Sequence, residues 1–117
     1  MNVRTGVDII DLKLIHDTLE DPKQLQRLLH PSDLQRNTPE HIAGRIALKE
    51  ATIKALGLNP SEWLNIYVHT EASGKPTLSI LNPPSGLQSI DGSVSHHGDM
   101  VIGFVVALFD DFDDKKG

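Results

Sequence analysis

The apolar positions of the chain follow a helical period in one long stretch and a strand period in several short ones. The long stretch is residues 42–57, IAGRIALKEATIKALG, where apolar residues recur at helical spacing on one side and also occupy the opposite side. Thr38 and Pro39 before it are typical of a helix start, and Gly57 is typical of a left-handed helix end. The pattern predicts one long helix near residues 38–57 with little surface left for water.

The remaining apolar runs are short and mostly alternate with polar residues, as in strands that are buried on one face. Short helices are predicted near residues 12–19 and from Pro22, followed by a turn containing Leu34. Strands are predicted at residues 3–10, 65–69, 77–81, 92–96 and 101–109. The second and third form a hairpin, and the last is apolar enough to be central. The fold class is therefore α+β, a mostly antiparallel sheet packed on one long helix.

Length and composition restrict the possible functions. A chain of 117 residues forms one domain, predicted to span residues 1–109, with an acidic tail at residues 110–117. A net charge of −5 argues against a non-specific nucleic-acid binder. The chain has no cysteine, so we expect a cytoplasmic protein without disulfides or thiolate metal sites. No signal peptide is apparent, and no apolar run reaches the roughly 20 residues that cross a membrane, so no membrane association is expected.

Two carboxylates do not fit this apolar scaffold. Glu50 lies in the middle of the apolar stripe of the long helix, where a charged group must be paired, bound to a metal or protonated. The alternative is a surface salt bridge with Lys54, one turn further along, which is usually worth about 0.3–0.5 kcal/mol. Asp8 interrupts the apolar first strand, and alternation alone does not decide whether it faces the core or water.

The segment SVSHH at residues 93–97 carries hydroxyls and imidazoles on a strand. Adjacent strand residues point to opposite faces, so His96 and His97 are poorly placed to share a metal ion. A hydrogen bond or a phosphate contact is the commoner role. A nucleophilic role for Ser95 with His96 lacks both a nucleophile elbow and an evident third residue.

The carboxylates and the cations together are typical of a site for a metal and a polyphosphate. Oxygen ligands without thiolates favour a hard cation such as Mg²⁺. Positive charge suited to a polyphosphate comes from Arg45, Lys49, Lys54 and Lys75. The residue chemistry alone indicates no more than a phosphoryl-transfer site, with a phosphohydrolase as a weaker alternative.

Four motifs in order extend this interpretation. They are GVDI at residues 6–9, GRIALKEA continuing to KALG at 44–57, GKP at 74–76 and SVSH at 93–96. In this order the motifs resemble the holo-acyl-carrier-protein synthase family, the small single-domain 4′-phosphopantetheinyl transferases. The resemblance runs from Gly6 to about Ala107, and the helix motif is its most specific part.

The resemblance implies a reaction and a set of site residues. The phosphopantetheine arm of coenzyme A would be transferred to a serine of an apo carrier protein, releasing 3′,5′-ADP. Asp8 and Glu50 would hold Mg²⁺, and Lys54 would balance charge on the phosphates, with Glu50 also a candidate base. The family also implies a homotrimer with each site between two subunits. Coenzyme A would be bound by Arg45, Lys49, Lys54, Gly74, Lys75, Pro76, Ser95 and His96.

The segment after Gly57 departs from the family pattern. Where the resemblance implies a glycine-rich continuation, the sequence reads LNPSEW at residues 58–63. The first helical region is acidic, and basic side chains for docking an acidic carrier are limited to Lys13, Lys23, Arg27 and Arg36. An alternative function is therefore a non-catalytic descendant that binds a nucleotide or a protein as an oligomer.

Overall fold

A computed structural model of the chain describes residues 1–31 and 38–111. Its strands and helices follow one another in the order expected from the sequence. They are β1 (Asn2–Asp11), α1 (His16–Glu20), α2 (Pro22–Leu28), α3 (Pro39–Leu56), a 3₁₀ helix (Pro60–Asn65), β2 (Ile66–Thr70), β3 (Pro76–Ile80), β4 (Leu87–His97) and β5 (Met100–Phe109). The predicted α+β class is confirmed. The predicted turn containing Leu34, and Arg36 of the proposed docking set, lie outside the described residues.

The strands form two antiparallel sheets. β1, β5 and β4 make a three-stranded sheet with β5 in the centre, as its apolar sequence predicts, and β2 pairs with β3 in the predicted hairpin. β4 begins at Leu87, earlier than the predicted residue 92. Its pairing with β5 shifts register between Leu87 and Ser89. This irregularity spaces Leu87 and Ile90 three residues apart, and the period of two that marks a strand is lost there.

Helix α3 has the predicted ends because its capping signals are local. The Thr38 hydroxyl accepts from the backbone N–H of His41, and Pro39 occupies the first turn. Gly57 adopts a left-handed φ of 65°, and its N–H donates to the Ile53 carbonyl. By contrast, α1 begins at His16 and not near residue 12, because a turn at Asp11 intervenes. The backbone N–H of Leu14 donates to the Asp11 carbonyl at 3.0 Å.

Two glycines let α3 lie directly on the three-stranded sheet. A Cβ atom on Gly6 of β1 would lie 1.9 Å from the Ala51 carbonyl oxygen of α3. A Cβ atom on Gly103 of β5 would lie 2.7 Å from the Ala47 carbonyl carbon. Side chains at these positions would force the helix away from the sheet. The close approach places the residues around Gly6 against the middle of α3.

The face of the three-stranded sheet that points away from α3 is apolar and exposed. Val7 and Ile9 of β1 are 54% and 56% exposed, and Phe104 of β5 is 39% exposed. We call this surface the outer sheet face; its exposed apolar residues are Val3, Val7, Ile9, Met100, Ile102 and Phe104. An apolar surface of this kind is uncommon on a protein that acts as a monomer.

The C-terminal end of the described chain is attached to the fold. Asp110 donates its backbone N–H to the Gly86 carbonyl at 2.8 Å, and its carboxylate accepts from the Gln88 amide. The Asp111 carboxylate pairs with the N-terminal amine of Met1. Residues 112–117 of the predicted acidic tail lie outside the described residues. Within the described ranges, no helix is both long and apolar enough to span a membrane.

Candidate functional site

Asp8 lies on the side of β1 that faces α3. It shares that face with Gly6 and Ile10, is paired with Gly103 of β5, and has a side chain that is only 17% exposed. The structure therefore excludes the solvent-facing position that the sequence left open. Lys54 of α3 reaches across to it: its ammonium nitrogen lies 3.3 Å from Asp8 Oδ1 and 3.0 Å from the Val7 carbonyl oxygen. The first-strand motif and the helix motif are joined at this contact.

Glu50 is the one residue in the middle of α3 that is not fully buried. Every residue from Ile42 to Thr52 is buried apart from Glu50, which is half-buried. Within the described chain its carboxylate forms no hydrogen bond or ion pair, and Lys54 bonds to Asp8 in its place. The alternative of a surface salt bridge between Glu50 and Lys54 is therefore wrong. Because Glu50 and Lys54 are one helical turn apart, both carboxylates lie on the side of α3 that faces β1.

A cavity of about 440 Å³ opens beside the buried N-terminal half of α3. It brings together residues from the helix, the β2–β3 hairpin and β4. Four of the sequence-predicted site residues line it: Arg45, Gly74, Pro76 and His96. The cavity is large enough for a nucleotide-sized group. Asp8, Glu50 and Lys54 do not line it.

Arg45 is the buried cation of this cavity. It is only 4% exposed, and its guanidinium donates to the Thr70 hydroxyl at 3.0 Å. Thr70 ends β2 and is the Cα partner of Pro76, so it stands where the hairpin turn begins. The same turn presents Gly74, with a left-handed φ of 92°, to the cavity. Arg45 is thus attached to the loop that forms the opposite wall.

Lys49 has a position that disagrees with its predicted contact with the phosphates. It is completely buried and absent from the cavity wall, and its ammonium donates to the Leu28 carbonyl at 3.1 Å. The Trp63 indole donates to the same oxygen at 2.6 Å. Lys49 therefore anchors the end of α2 to α3, and Trp63 anchors it to the 3₁₀ helix. Helical spacing shows that Lys49 and Glu50 point in different directions, but it does not show that Lys49 bonds to the end of α2.

Ser95 and Lys75 also lie away from the cavity. Strand alternation places Val94 and His96 on the cavity side of β4, so Ser95 points to the outer sheet face. The Lys75 ammonium lies 2.8 Å from Asp91 Oδ1, also on β4. The hydrogen bond from Lys75 lowers the pKa of Asp91, with a further contribution from the Gly92 backbone N–H. The same side-chain hydrogen bond raises the pKa of Lys75.

Replacing Asp91 by asparagine should show whether this exposed pair ties the hairpin turn to β4. We expect a small loss of unfolding free energy near neutral pH. The difference from the wild type should vanish as the pH falls from 3.8, the ordinary pKa of Asp91, through its lowered folded value. It should also vanish as the pH rises above 10.5 through the raised pKa of Lys75. Urea unfolding at several pH values measures this; a difference independent of pH would contradict the pairing.

Known proteins are similar to this chain in both sequence and fold. No family model matches the sequence. A holo-acyl-carrier-protein synthase of Kocuria rhizophila is 36% identical over 115 residues, covering 92% of this chain and 93% of the relative. The chain belongs to the holo-acyl-carrier-protein synthase family. Another synthase, from Frankia alni, is 34% identical over 113 residues, covering 90% of this chain and 96% of the relative.

A solved structure of this synthase family extends the match to three dimensions. The holo-acyl-carrier-protein synthase of Helicobacter pylori, in complex with coenzyme A, superposes with a TM-score of 0.78 at 30% identity. The match covers 89% of this chain and 99% of that one. The family predicted from the four motifs is thereby confirmed.

The sequence did not reveal several residues that the fold brings to the cavity. Thr38 and His41, in the first turn of α3, line its wall, and the Thr38 hydroxyl contacts His41 Nδ1 at 2.5 Å. Thr70 was missed because a threonine at a strand end has no distinctive pattern. Only the capping role of Thr38 was visible in the sequence, since it depends on neighbours along the chain.

Proposed function

We propose that this protein transfers the phosphopantetheine arm of coenzyme A to a serine hydroxyl of an apo carrier protein, releasing 3′,5′-ADP. The observation that carries the proposal is the 3.3 Å contact between Asp8 and Lys54. It joins two of the family motifs at one place in the fold, beside a carboxylate, Glu50, that has no partner in the described chain. The match to synthases over nearly the full length supports the same reaction.

The residues around the contact between Asp8 and Lys54 fit Mg²⁺. Asp8 and Glu50 supply carboxylate oxygens, and the described residues contain no group of three or more His, Cys, Asp or Glu side chains arranged to hold a metal. Such a donor set suits Mg²⁺, which is commonly bound by one or two carboxylates and completed by water and phosphate oxygens. We propose that Asp8 and Glu50 hold this ion, which would stabilise negative charge on the pyrophosphate when bound.

The protein residues then have distinct roles in the transfer. The carrier hydroxyl oxygen forms a bond to the phosphorus of the phosphopantetheine arm, and the bond from that phosphorus to the 3′,5′-ADP oxygen breaks. The Lys54 ammonium stabilises the charge that develops on the leaving oxygen. The hydroxyl proton passes to Glu50 or to a water molecule nearby. Arg45 binds a phosphate group of the nucleotide, and Gly74 and Pro76 form the wall against its adenine.

Three residues that were predicted to bind coenzyme A lie away from the cavity and have different proposed roles: Lys49, Lys75 and Ser95. Lys49 is assigned the structural role that its burial indicates. Lys75 is placed at the rim of the site, where its flexible stem lets it leave Asp91 for a phosphate. Ser95, on the outer sheet face, would act only where a second subunit meets that face. The cytoplasmic location expected from the sequence stays a prediction.

We further propose a homotrimer in which the outer sheet face is covered by neighbouring copies. The exposed apolar side chains of β1 and β5 make a continuous surface that a single chain leaves in water. Covering such a surface is favourable by about 25 cal/mol per Å² of apolar area. A second copy of the chain is the partner that the family resemblance implies.

Replacing Phe104 by aspartate should therefore dissociate the oligomer, because the variant would bury a charge in the apolar interface. We expect the mass in solution to fall to that of a monomer and transfer activity to fall with it. Light scattering coupled to gel filtration gives the mass. Leu81→Asp is the matched control, since Leu81 is 52% exposed but lies outside the outer sheet face. A wild-type monomer, or an unchanged mass for Phe104→Asp, would contradict the interface.

The alternative function is a non-catalytic oligomer that binds a nucleotide or a protein. It is favoured by the segment after Gly57, where the expected glycine-rich continuation is replaced by the 3₁₀ helix carrying the half-buried Trp63. Calorimetry with coenzyme A and Mg²⁺, followed by incubation with apo carrier proteins, separates the possibilities. Binding with transfer supports the synthase, and binding without transfer to any carrier supports the non-catalytic alternative. If coenzyme A does not bind, both the transferase and a nucleotide-binding oligomer are overturned.

A further inference from the structure

The Thr70 hydroxyl is placed to control the orientation of the cavity's buried arginine. Its oxygen accepts from the Arg45 guanidinium at 3.0 Å, across a separation of 25 residues in sequence. Both residues line the cavity. Thr70 also begins the turn that is closed by a hydrogen bond from the Glu71 N–H to the Lys75 carbonyl at 2.9 Å. One hydroxyl thus joins α3 to the wall formed by the hairpin.

An oriented guanidinium binds an anion better than a mobile one. The arginine side chain is long and loses considerable conformational entropy when it is fixed. A partner that holds the guanidinium before the ligand arrives removes part of this cost from binding. A guanidinium that is held in one orientation presents its planar donors in a defined direction, as bidentate recognition of a phosphate requires.

We propose that Thr70 is a positioning residue that orients Arg45 for a phosphate group of the nucleotide and couples it to the turn carrying Gly74. This inference rests on the proposed binding of a nucleotide by Arg45. Thr70 is assigned no contact with reacting atoms. Its loss should therefore weaken binding of ligands that carry phosphate and raise KM for coenzyme A, while kcat changes little.

The test uses the full chain with three threonine variants. Thr70→Val keeps the shape and removes the acceptor, and Thr70→Ser retains the hydroxyl. Thr77→Val is the matched control, because Thr77 lies on the adjacent strand and its hydroxyl donates to the His69 carbonyl, not to Arg45. Calorimetry with 3′,5′-ADP measures binding without requiring transfer. We expect Thr70→Val to weaken binding about tenfold, and both Thr70→Ser and Thr77→Val to stay near the wild type.

A double-mutant cycle separates positioning from a general structural effect. If Thr70 acts through Arg45, then Thr70→Val should have little further effect on binding in an Arg45→Gln background. Wild-type affinity in Thr70→Val, or equal losses in both backgrounds, would overturn the inference and leave the proposed transfer intact. A wild-type protein that binds neither 3′,5′-ADP nor coenzyme A would overturn the proposed function, and this inference with it.

Discussion

Replacing Glu50 by glutamine is expected to abolish most Mg²⁺-dependent transfer while the protein stays folded. Glutamine keeps the length of the side chain but removes the charge that we propose binds the metal, so we expect kcat to fall about 10²–10³-fold. Glu50 is half-buried and has no partner within the described chain, so its neutralisation should leave the unfolding free energy unchanged or raise it. Steady-state kinetics and thermal unfolding measure the two effects.

The combination of lost activity and retained stability distinguishes a metal ligand from a structural charge. Glu62→Gln is the matched control: Glu62 accepts from the Asn65 amide within the 3₁₀ helix, away from the proposed metal site. It should leave kcat close to the wild-type value. Full activity of Glu50→Gln at every Mg²⁺ concentration would show that Glu50 is neither a ligand nor the base. A large loss of stability would show that its charge supports the fold.

Replacing Gly6 by alanine is expected to destabilise the protein strongly. The new methyl group would lie 1.9 Å from the Ala51 carbonyl oxygen and 2.9 Å from the Ala55 backbone nitrogen, within the hydrogen-bonded backbone of α3. Backbone atoms cannot move aside as a flexible side chain can, so helix and strand must separate. We expect a loss of about 3–5 kcal/mol in unfolding free energy. Because Asp8 lies two residues away, its contact with Lys54 should also be lost, and activity with it.

Gly98→Ala provides a comparison without close packing. Gly98 has a left-handed φ of 59°, but a Cβ atom there would meet nothing within 4 Å. Its replacement should cost only the backbone penalty of about 1 kcal/mol. Chemical denaturation of both variants gives the difference. Similar small losses for Gly6→Ala and Gly98→Ala would contradict the close approach of α3 to β1.

The fold was predictable where signals act between neighbours along the chain. The ends of α3 depend on Thr38 and Gly57, which work through local hydrogen bonds, and both were predicted correctly. The start of β4 was missed because the register shift after Leu87 breaks the alternation of apolar residues. The late start of α1 follows from a turn at Asp11, whose polar contacts compete with the helix.

The site was less predictable, because its roles depend on which residues meet across the fold. Strand alternation did not decide whether Asp8 faces the core or water. Asp8 shares the face of Gly6, and that face is identified only by the close approach of α3 to Gly6. Helical spacing placed Lys54 one turn from Glu50, but the sequence could not show that Lys49 is buried against the end of α2. The contact of Arg45 with Thr70 joins residues far apart in sequence.

The most direct test of the proposed transfer is the mass of a carrier protein. Apo carrier proteins, including those encoded near this protein's gene, are incubated with the wild-type chain, coenzyme A and Mg²⁺, and then analysed by mass spectrometry. We predict that one carrier gains the mass of one phosphopantetheine arm, and that chelation of Mg²⁺ or the Glu50→Gln substitution suppresses the gain. No gain on any carrier, from protein shown to bind coenzyme A, would contradict the proposed transferase.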